Sequence, residues 1–373
     1  MKILYISKSI IPSRTANSIH VIKMCQAFAD NGHEVILISP NIKNKYEKGI
    51  ENIYEFYGVR ENFYIKKFIH PNFIGGAFLY TLAIFFYLLI NNKFDLIYGR
   101  FLHGVYIGAL LNNKVIYESH APIIEKNTHR IIILKKLIKN KYLKKIVVIS
   151  KELKKIYLQQ GFIDESKLQV AHDGADIVED LSKKINLLGS KNKLKVGYIG
   201  HLYRGKGIEV IDSMADKLDD DVEIHIVGGF EKDLNYWKKK ITSKKIFFYG
   251  FIPHKKVSFY INAMDICLLP NQEIVHAYGS EPQKNNLNIS AFTSPLKLFE
   301  YMAHRKSIIA SDLPVIREIL NDSNSILVKC DDITSWVSSI QKFKNAKIRE
   351  SISSQALSDF SRYTWKNRAS LVI

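Results

Sequence analysis

The sequence predicts an α/β protein built from two doubly wound, Rossmann-like domains, and three observations support this fold class. The chain has 373 residues, which suits two domains of ordinary size better than one. Short β-branched runs alternate with helical stretches, as in parallel sheets covered by helices on both faces. A lysine-rich polar stretch near residues 176–194 interrupts this alternation, which then starts again.

The strands of the first domain are predicted from short apolar runs that are separated by segments long enough for crossover helices. They begin with KILYIS, followed by the amphipathic helix IHVIKMCQAFADNG and the strand EVILIS, and continue with DLIYGR, KVIYESH and KKIVVIS. The second set is LKVGYIG, VEIHIVGG, KIFFYG, DICLLP, SIIAS and SILVK. We place the first domain at residues 1–180 and the second at 190–355.

The composition limits the class of protein and its partners. The chain has 47% apolar residues, which is typical of folded proteins. Its net charge of +18 is large enough to attract anionic partners. A solvated lysine-rich surface explains the same charge equally well. The lysines are not interleaved with aromatics in a recognised nucleic-acid module, so we expect no nucleic-acid partner.

Cysteine usage and the start of the chain indicate the compartment. Cys25, Cys267 and Cys330 lie far apart, with no CxxC pair, so neither a disulfide framework nor a structural zinc site is expected. The start MKILYISKSI lacks the features of a secretory signal. We therefore expect a cytoplasmic protein.

Two segments of the first domain indicate contact with a membrane surface. Residues 126–155 contain eleven Lys or Arg and one acidic residue, with apolar residues at roughly helical spacing, as in peripheral proteins that bind anionic lipid. The run Phe73–Ile90 has no charge and reaches the minimum length of a membrane span. Strand-like runs flank it closely, so we favour a buried or partly membrane-dipped helix. The expected location is the inner face of the cytoplasmic membrane.

A glycine-rich turn opens the second domain and predicts a phosphate site. In GYIGHLYRGKGIEVI a strand leads through three glycines into a helix, with Arg204 and Lys206 inserted among them. Gly200, Gly205 and Lys206 have the spacing of a P-loop. The next residue is Gly207 rather than Ser or Thr, so the magnesium-binding hydroxyl is missing and a nucleoside triphosphatase is disfavoured.

A second informative segment is SPLKLFEYMA, in which a helix is predicted to begin around Ser294 and Pro295. Glu300 then lies in the second turn, where it could accept hydrogen bonds from a ribose diol. Lys297 lies one turn nearer the phosphates.

His120 directly follows the strand KVIYES, at the carboxyl edge where parallel sheets bind ligands. It could hydrogen-bond a sugar hydroxyl, act in proton transfer, or be a loop histidine with structural partners only. The Asp-x-Asp pair at Asp219 and Asp221 precedes a strand, at the opposite end from the predicted site. We interpret it as surface charge rather than a metal site.

Taken in order, these motifs resemble the family-four retaining glycosyltransferases over nearly the whole chain. IHVIKMCQAFADNGHEVILIS is similar to the family's first helix and second strand, and VVISKELK with VAHDGAD to the end of its first domain. VGYIGHLYRGKGIEVI resembles the donor-phosphate turn, SPLKLFEYMA the donor helix, and YTWKNRA the last helix. The resemblance implies the GT-B fold, two domains facing each other across a cleft, with a C-terminal helix, about 360–373, that crosses back to the first domain.

The resemblance also implies an activity: transfer of a sugar from a nucleotide-sugar donor to a glycan or lipid-linked acceptor of the cell surface. Retention of configuration, independence of metal ions and the absence of a cofactor are part of that expectation. The implied site residues are His120 near the transferred sugar, Arg204, Lys206, Lys297 and Ser294 at the donor phosphates, Glu300 at ribose, backbone near Phe251 and Ile252 at the base, and Ala16 and Asn17 in the N-terminal phosphate loop.

Three departures from the family pattern are visible. Thr15 and Ala16 replace the Gly-Gly of the N-terminal phosphate loop, and His201 stands where an arginine is common. Phe292 replaces the first glutamate of the paired motif that ends at Glu300. The donor sugar must then be held differently, by Ser294 or Glu281 for example. An epimerase of the same architecture is the nearest alternative, whereas the lack of GxGxxG after the first strand disfavours a nicotinamide oxidoreductase.

Overall fold

The computed structural model describes residues 1–44, 46–71, 73, 75–91, 93–124, 128–275 and 288–373. Glu281, one of the candidates for holding the donor sugar, lies outside them. The chain divides into two compact units. The first comprises Met1–Asp173 with Trp365–Ile373, and the second comprises Gly174–Thr364.

The first unit is a seven-stranded parallel sheet with the strand order β3-β2-β1-β4-β5-β6-β7. Its strands are β1 (Lys2–Ile6), β2 (Glu34–Pro40), β3 (Tyr64–Phe68), β4 (Leu96–Gly99), β5 (Val115–Ser119), β6 (Leu143–Val148) and β7 (Leu168–Val170). Its helices are α1 (Ala16–Asp30), α2 (Ile53–Tyr57), α3 (Gly76–Ile90), α4 (Leu102–Leu110), α5 (Thr128–Ile138) and α6 (Lys151–Gln159), with α14 (Trp365–Leu371) at the end of the chain. Every residue of β5 is buried, as expected of a strand covered on both faces.

The helices of the first unit pack in two groups. α3 packs against α4, and α4 packs against α5. α14 packs against α1. The C-terminal helix therefore returns to the first unit, as predicted from the sequence.

The second unit is a six-stranded parallel sheet with the order β10-β9-β8-β11-β12-β13. The strands are β8 (Leu194–Ile199), β9 (Val222–Val227), β10 (Ile246–Gly250), β11 (Ile266–Leu269), β12 (Ser307–Ser311) and β13 (Ile326–Val328). The helices are α7 (Ile208–Ala215), α8 (Glu231–Lys240), α9 (His254–Asn262), α10 (Leu296–Ala303), α11 (Pro314–Arg317), α12 (Ile333–Lys342) and α13 (Ala346–Phe360). Two doubly wound α/β units are thus present, and the predicted fold class is confirmed.

The contact boundaries of the units lie at residues 173/174 and 364/365, whereas the sequence placed them near 180/190 and 355/360. Residues 174–193 form no helix or long strand but pack within the second unit. Ala175 pairs with Thr364 in an isolated bridge, and Asn262 donates to the Lys183 carbonyl. These contacts assign the polar stretch to the second unit.

The start of α10 and the length of α3 can be compared with the sequence predictions. α10 begins at Leu296 with Pro295 as its cap residue, so Ser294 precedes the cap and Pro295 is not yet in the first turn. The apolar run after Phe73 forms α3, which has 15 residues. Among the described helices, none combines the length and apolar character that crossing a membrane requires.

Candidate active site

In the first unit, β5 delivers His120 to the carboxyl edge of the sheet, directly after Ser119. The His120 Nε2 atom lies 2.6 Å from Oε1 of Glu118, and 17% of the histidine side chain is exposed. No hydrogen bond to its Nδ1 atom occurs among the described residues. His120 is therefore anchored through one ring nitrogen, and no described residue forms a hydrogen bond to the other.

Glu118 is the centre of a buried network that joins four elements. Tyr98 on β4 donates its hydroxyl to Oε2, and Arg368 on α14 donates Nη2 to Oε1 at 2.7 Å. Nε2 of His20, on α1, lies 2.8 Å from the same Oε1. Arg368 and His120 thus contact Oε1, Tyr98 contacts Oε2, and the buried ring of His20 lies close to Oε1.

The network extends to Asp173, at the end of the first unit. Nδ1 of His20 lies 2.9 Å from Oδ1 of Asp173, so both nitrogens of this buried ring face carboxylates. Arg368 Nε donates to the His172 carbonyl at 2.9 Å. The last helix is thereby tied to the turn that follows β7.

The charges of the network are coupled. Burial alone would raise the pKa of Glu118, but Arg368, His20 and the hydrogen bond from His120 hold that pKa well below its usual range. Burial, together with the nearby Arg100 and His20 side chains, lowers the pKa of His120 to about 3 despite its contact with Glu118. Near neutral pH the pair consists of an ionised carboxylate and a neutral imidazole.

His20, His120 and Asp173 offer ligand atoms that all lie within 4.8 Å of one another, so they could in principle hold a divalent ion. Both nitrogens of His20 already face carboxylate oxygens, and Arg368 supplies a positive charge beside them. A cation would have to displace these contacts and tolerate the guanidinium. The donor set therefore fits an internal charge network better than a metal site.

The predicted N-terminal phosphate loop lies at the start of α1. Thr15 caps this helix, and its side chain accepts from the Ser18 amide. Ala16 and Asn17 are exposed. The Asn17 side chain, next to the Thr15 and Ala16 pair that replaces the family's Gly-Gly, accepts from the Ser9 hydroxyl at 2.9 Å.

In the second unit, the glycine-rich turn follows β8. Gly200 has φ +144°, and Gly228, which follows β9, approaches so closely that an added Cβ would lie 2.3 Å from the Gly200 carbonyl oxygen. Gly207 caps α7 in the left-handed conformation. Backbone thus lies close to backbone at the carboxyl edge, next to a helix N-terminus.

Lys206 and Lys297 lie at this turn. Lys297 Nζ is 3.8 Å from the centroid of the Tyr198 ring, and an added Cβ on Gly200 would be 3.0 Å from the same ammonium. Lys206 Nζ lies over the Tyr203 ring at 5.0 Å. No carboxylate among the described residues forms an ion pair with either lysine.

Both lysines are easier to deprotonate than a free lysine. Burial lowers the pKa of Lys206 to about 8. Burial, reinforced by the charge of Lys206 and opposed by that of Glu300, holds the pKa of Lys297 well below its usual value. An anion placed between them would stabilise both ammonium groups.

Arg204 is placed differently from the lysines. It is exposed and lines a cavity of about 570 Å³. The cavity is also lined by Gly205, Glu209, Gln272, Glu273, Ile274, Cys330 and Asp331. Ser294 is partly buried and lies two residues before α10.

Glu300 is paired on α10. His254, the first residue of α9, places Nε2 2.9 Å from Oε1 of Glu300. Phe251 and Ile252, the predicted base-binding residues, are partly buried and lie in the short segment that leads from β10 to His254. The structure therefore brings the predicted ribose and base residues to one place.

Several residues of these two clusters were not predicted from the sequence: His254 in the second unit, and His20, Glu118, Asp173 and Arg368 in the first. Glu118 and Arg368 are 250 positions apart, and no local pattern marks such a pair. One signal was available, because Glu118 is an acidic residue inside the apolar strand KVIYES, where an unpaired charge is costly. The surface interpretation of Asp219 agrees with its ion pair to Lys344 at 2.5 Å.

The fold and the placement of these residues define a protein of the GT-B class. Residues 18–179 match the family model described as Glycosyltransferase Family 4, and residues 193–345 match the model described as Glycosyl transferases group 1. These adjoining matches support a glycosyltransferase of the family-four type.

Known proteins with similar sequence or structure agree with this class. An uncharacterized glycosyltransferase, MJ1069 of Methanocaldococcus jannaschii, is 28% identical over 199 residues, which cover 49% of this chain and 45% of that protein, so the chain spans about half of its length. Anabaena HepE in complex with UDP superposes with a TM-score of 0.73 at 15% identity, over 99% of this chain and 98% of that one. A glycosyltransferase from Rickettsia africae superposes with a TM-score of 0.72 at 15% identity, over 99% of this chain and 96% of that one.

Proposed function

We propose that the protein transfers a sugar from a nucleoside-diphosphate sugar to a glycan or lipid-linked acceptor, with retention of configuration and without a metal ion. One observation carries this proposal: Lys206 and Lys297 lie at a glycine turn and a helix N-terminus with no acidic partner among the described residues. Partly buried ammonium groups without counter-ions are costly unless an anion binds between them.

The chemistry needs such an anion site. When the glycosidic bond to the diphosphate breaks, negative charge develops on the leaving phosphate oxygen, and Lys206 and Lys297 stabilise it. The acceptor oxygen forms the new bond on the same face of the sugar, and its proton passes to the leaving phosphate oxygen. No metal ion is needed for this charge stabilisation.

The nucleoside is assigned to the segment after β10. Phe251 and Ile252 provide the backbone and the apolar contact for a base, and Glu300 accepts from the ribose hydroxyls. His254 holds one oxygen of this carboxylate, which restricts the orientation of the Glu300 side chain. The UDP-bound HepE structure makes uridine nucleotides the first ligands to try.

A direct experiment is thermal unfolding of the protein with a panel of nucleotides and nucleotide sugars. A ligand that binds only the folded state raises the unfolding temperature by mass action. Nuclear magnetic resonance of the product with the stabilising donor then gives the anomeric configuration. Stabilisation by no nucleotide at millimolar concentration, or an inverted product, would contradict the corresponding part of the proposal.

For the acceptor side we propose peripheral attachment to an anionic membrane. α3 buries Tyr80, Ile84 and Leu88 at intervals of four residues, so these side chains share one face. Its opposite face exposes large apolar side chains: Phe78 (69%), Phe86 (53%), Leu89 (49%) and Ile90 (82%). Four large apolar side chains exposed on one helix face differ from the single, scattered apolar residues that are normal on a protein surface.

The neighbouring helices supply the charge. α4 packs between α3 and α5, so the exposed face of α3 and the lysines of α5 belong to one row of helices. Lys135 and Lys136 on α5 are exposed, while Leu134 and Leu137 are buried beneath them. A row of helices that carries exposed apolar side chains on α3 and exposed cations on α5 fits the boundary between acyl chains and anionic headgroups.

A further inference from the structure

We propose that Glu118 is a positioning residue that fixes His120 with its proton on Nε2, so that Nδ1 acts as a hydrogen-bond acceptor for a sugar hydroxyl. This inference rests on the proposed function, because it specifies how the first unit meets a sugar. It also predicts a property of the free protein that can be measured without any ligand.

The tautomer follows from the contact between the two side chains. Nε2 of His120 lies 2.6 Å from Oε1 of Glu118, and a carboxylate oxygen can only accept. The hydrogen must therefore be on Nε2. A neutral ring carries one hydrogen, so Nδ1 has a free lone pair.

The surroundings keep Glu118 ionised. It is 1% exposed, and its oxygens accept from Tyr98 and Arg368 and face His20 as well as His120. Protonating the carboxyl would remove an acceptor from several buried donors at once. Such loss of partners inside a protein is costly, so the carboxylate form is strongly favoured.

The charges that face His120 keep its ring neutral. His20 packs edge-on against it with ring centroids 4.5 Å apart, and Arg100, which follows β4, adds a positive charge nearby. Burial and these two neighbours outweigh the attraction of Glu118, and the pKa of His120 falls to about 3. The remaining charged groups of the network are Asp173 and Arg368, which lie beyond His20 and Glu118 respectively.

The protonation state of His120 determines which chemical group of a ligand its Nδ1 atom can bind. An Nδ1 lone pair accepts the hydrogen of a hydroxyl, whereas it repels the oxygens of a phosphate, which carry no hydrogen near neutral pH. His120 therefore contacts a sugar hydroxyl and not the diphosphate. That hydroxyl belongs either to the donor sugar or to the acceptor, and both offer the same O–H donor.

The first test measures the tautomer in the whole protein without ligand. Histidines are labelled with nitrogen-15, two-bond proton–nitrogen correlations are recorded from about pH 6 to about pH 8, and the His120→Asn variant assigns the signals. We expect one protonated and one unprotonated ring nitrogen at His120, with Nε2 protonated and no change over this range. A ring protonated on Nδ1, or one that titrates within the range, would overturn the inference.

The second test uses two amides that reproduce different parts of the ring. The amide of His120→Asn occupies the position of Nδ1 and can accept from a hydroxyl, whereas that of His120→Gln reaches the position of Nε2 and Glu118. We expect His120→Asn to retain about tenfold more kcat/KM than His120→Gln, the usual effect of one hydrogen bond. Equal losses, or a better His120→Gln, would contradict the outward acceptor.

The donor and acceptor are separated with deoxy sugars, and the proposed function is checked in parallel. A deoxy donor or deoxy acceptor that lacks the contacted hydroxyl should be a poorer substrate than the parent sugar for the wild type. For His120→Gln, which has already lost the contact, the deoxy and parent sugars should give similar rates. Uridine diphosphate binding should be the same in both variants, because Lys206 and Lys297 are unchanged. Failure of that binding in the wild type would count against the nucleotide site, whereas a wrong tautomer counts against Glu118 alone.

Discussion

Lys206 and Lys297 illustrate how single residues can be prepared for a ligand by burial. Each ammonium lies against a tyrosine ring, and cation–π attraction partly replaces the water that burial removes. Lys297 Nζ nevertheless has no hydrogen-bond partner among the described residues. If a diphosphate binds at these two residues, as proposed, the electrostatic cost of burying their charges is offset by the charges of the ligand.

The first prediction concerns pH. The pKa of Lys206 is about 8 in the free protein, and a bound diphosphate must raise it, so binding takes up protons. Because the complex holds more protons than its separate components, the affinity for uridine diphosphate should fall as the pH rises, by up to about tenfold per pH unit above about pH 8. Calorimetric titration in two buffers of different ionisation enthalpy measures the uptake directly.

A matched variant controls for other ionisations. Lys206→Arg keeps a positive charge that does not titrate in this range, so its affinity should depend less on pH than that of the wild type. Affinity of the wild type that stays constant between about pH 7 and about pH 9 would show that Lys206 does not meet the phosphates.

The second prediction separates ribose from phosphate. Glu300→Gln weakens charge-assisted hydrogen bonds worth about 1.5 to 3 kcal/mol, so nucleoside and nucleoside diphosphate should both bind roughly tenfold to a hundredfold more weakly. Lys206→Ala should weaken the diphosphate much more than the nucleoside. Calorimetry with both ligands distinguishes these patterns, and unchanged nucleoside affinity in folded Glu300→Gln would remove Glu300 from the ribose.

Sequence patterns singled out residues that lie in a local turn, and missed residues that meet only through contacts between distant parts of the chain. Lys206 could be found because its glycine neighbours are adjacent in the chain. His254 could not, since it meets Glu300 only after β10, α9 and α10 have packed together. Arg204 matched the pattern equally well, yet it is exposed at the cavity while the lysines lie against tyrosine rings.

At the scale of elements, α14 contributes a charge as well as packing. Arg368 is 3% exposed and pairs with Glu118, and its Nε lies 4.0 Å from Asp173. The short helix therefore completes a network whose carboxylates come from β5 and from the turn after β7. The sequence predicted the return of this helix but not its function in the charge balance.

The third prediction follows from that charge. Arg368→Met should lower the free energy of unfolding by about 3 to 5 kcal/mol, because it leaves Glu118 buried without its guanidinium partner. Urea unfolding measures the loss. Arg362→Met, which removes an exposed guanidinium nearby in the chain, should change stability by less than about 0.5 kcal/mol. Similar effects of both substitutions would show that the buried ion pair contributes little.

The fourth prediction concerns the row of helices α3, α4 and α5. Replacing Phe78, Phe86, Leu89 and Ile90 together by Ser should reduce binding to anionic vesicles at low and at high salt, because the inserted apolar area is lost. Changing Lys135 and Lys136 to Glu should reduce binding mainly at low salt, where headgroup attraction is not screened. Vesicle sedimentation measures both effects.

The control for this prediction has the same charge change in the second unit. Lys238→Glu with Lys239→Glu alters two exposed lysines at the end of α8 and should leave vesicle binding nearly unchanged. Equal partition of the wild type into anionic and neutral vesicles at low salt would refute the electrostatic part. If both pairs of lysine substitutions reduced vesicle binding equally, the electrostatic attraction would come from the net charge of the protein and not from α5.

At the scale of the whole molecule, the two doubly wound sheets followed from the alternation of strands and helices in the sequence, whereas β3 and β7 were not among the predicted strands. Parallel strands need crossovers, crossovers have one preferred hand, and the carboxyl edge of each sheet then carries the turns. The exact extent of each unit did not follow, because residues 174–193 lack periodicity and are placed only by contacts such as that between Ala175 and Thr364. Periodic sequence patterns predict helices and strands, whereas the position of an irregular segment depends on its tertiary contacts.

The fifth prediction is turnover without a metal ion. In this mechanism the charge of the leaving diphosphate is met by Lys206, Lys297 and the N-terminus of α7, so removal of divalent ions should leave the rate within about twofold. The protein is treated with a chelator, separated from it, and assayed with its donor and acceptor, and magnesium or manganese is then added back. Lys206→Ala serves as the internal comparison, since it should lower the rate with or without added metal. If the chelator abolished transfer and a divalent ion restored it, the leaving group would be stabilised by the ion, and the two lysines would lose the function proposed for them.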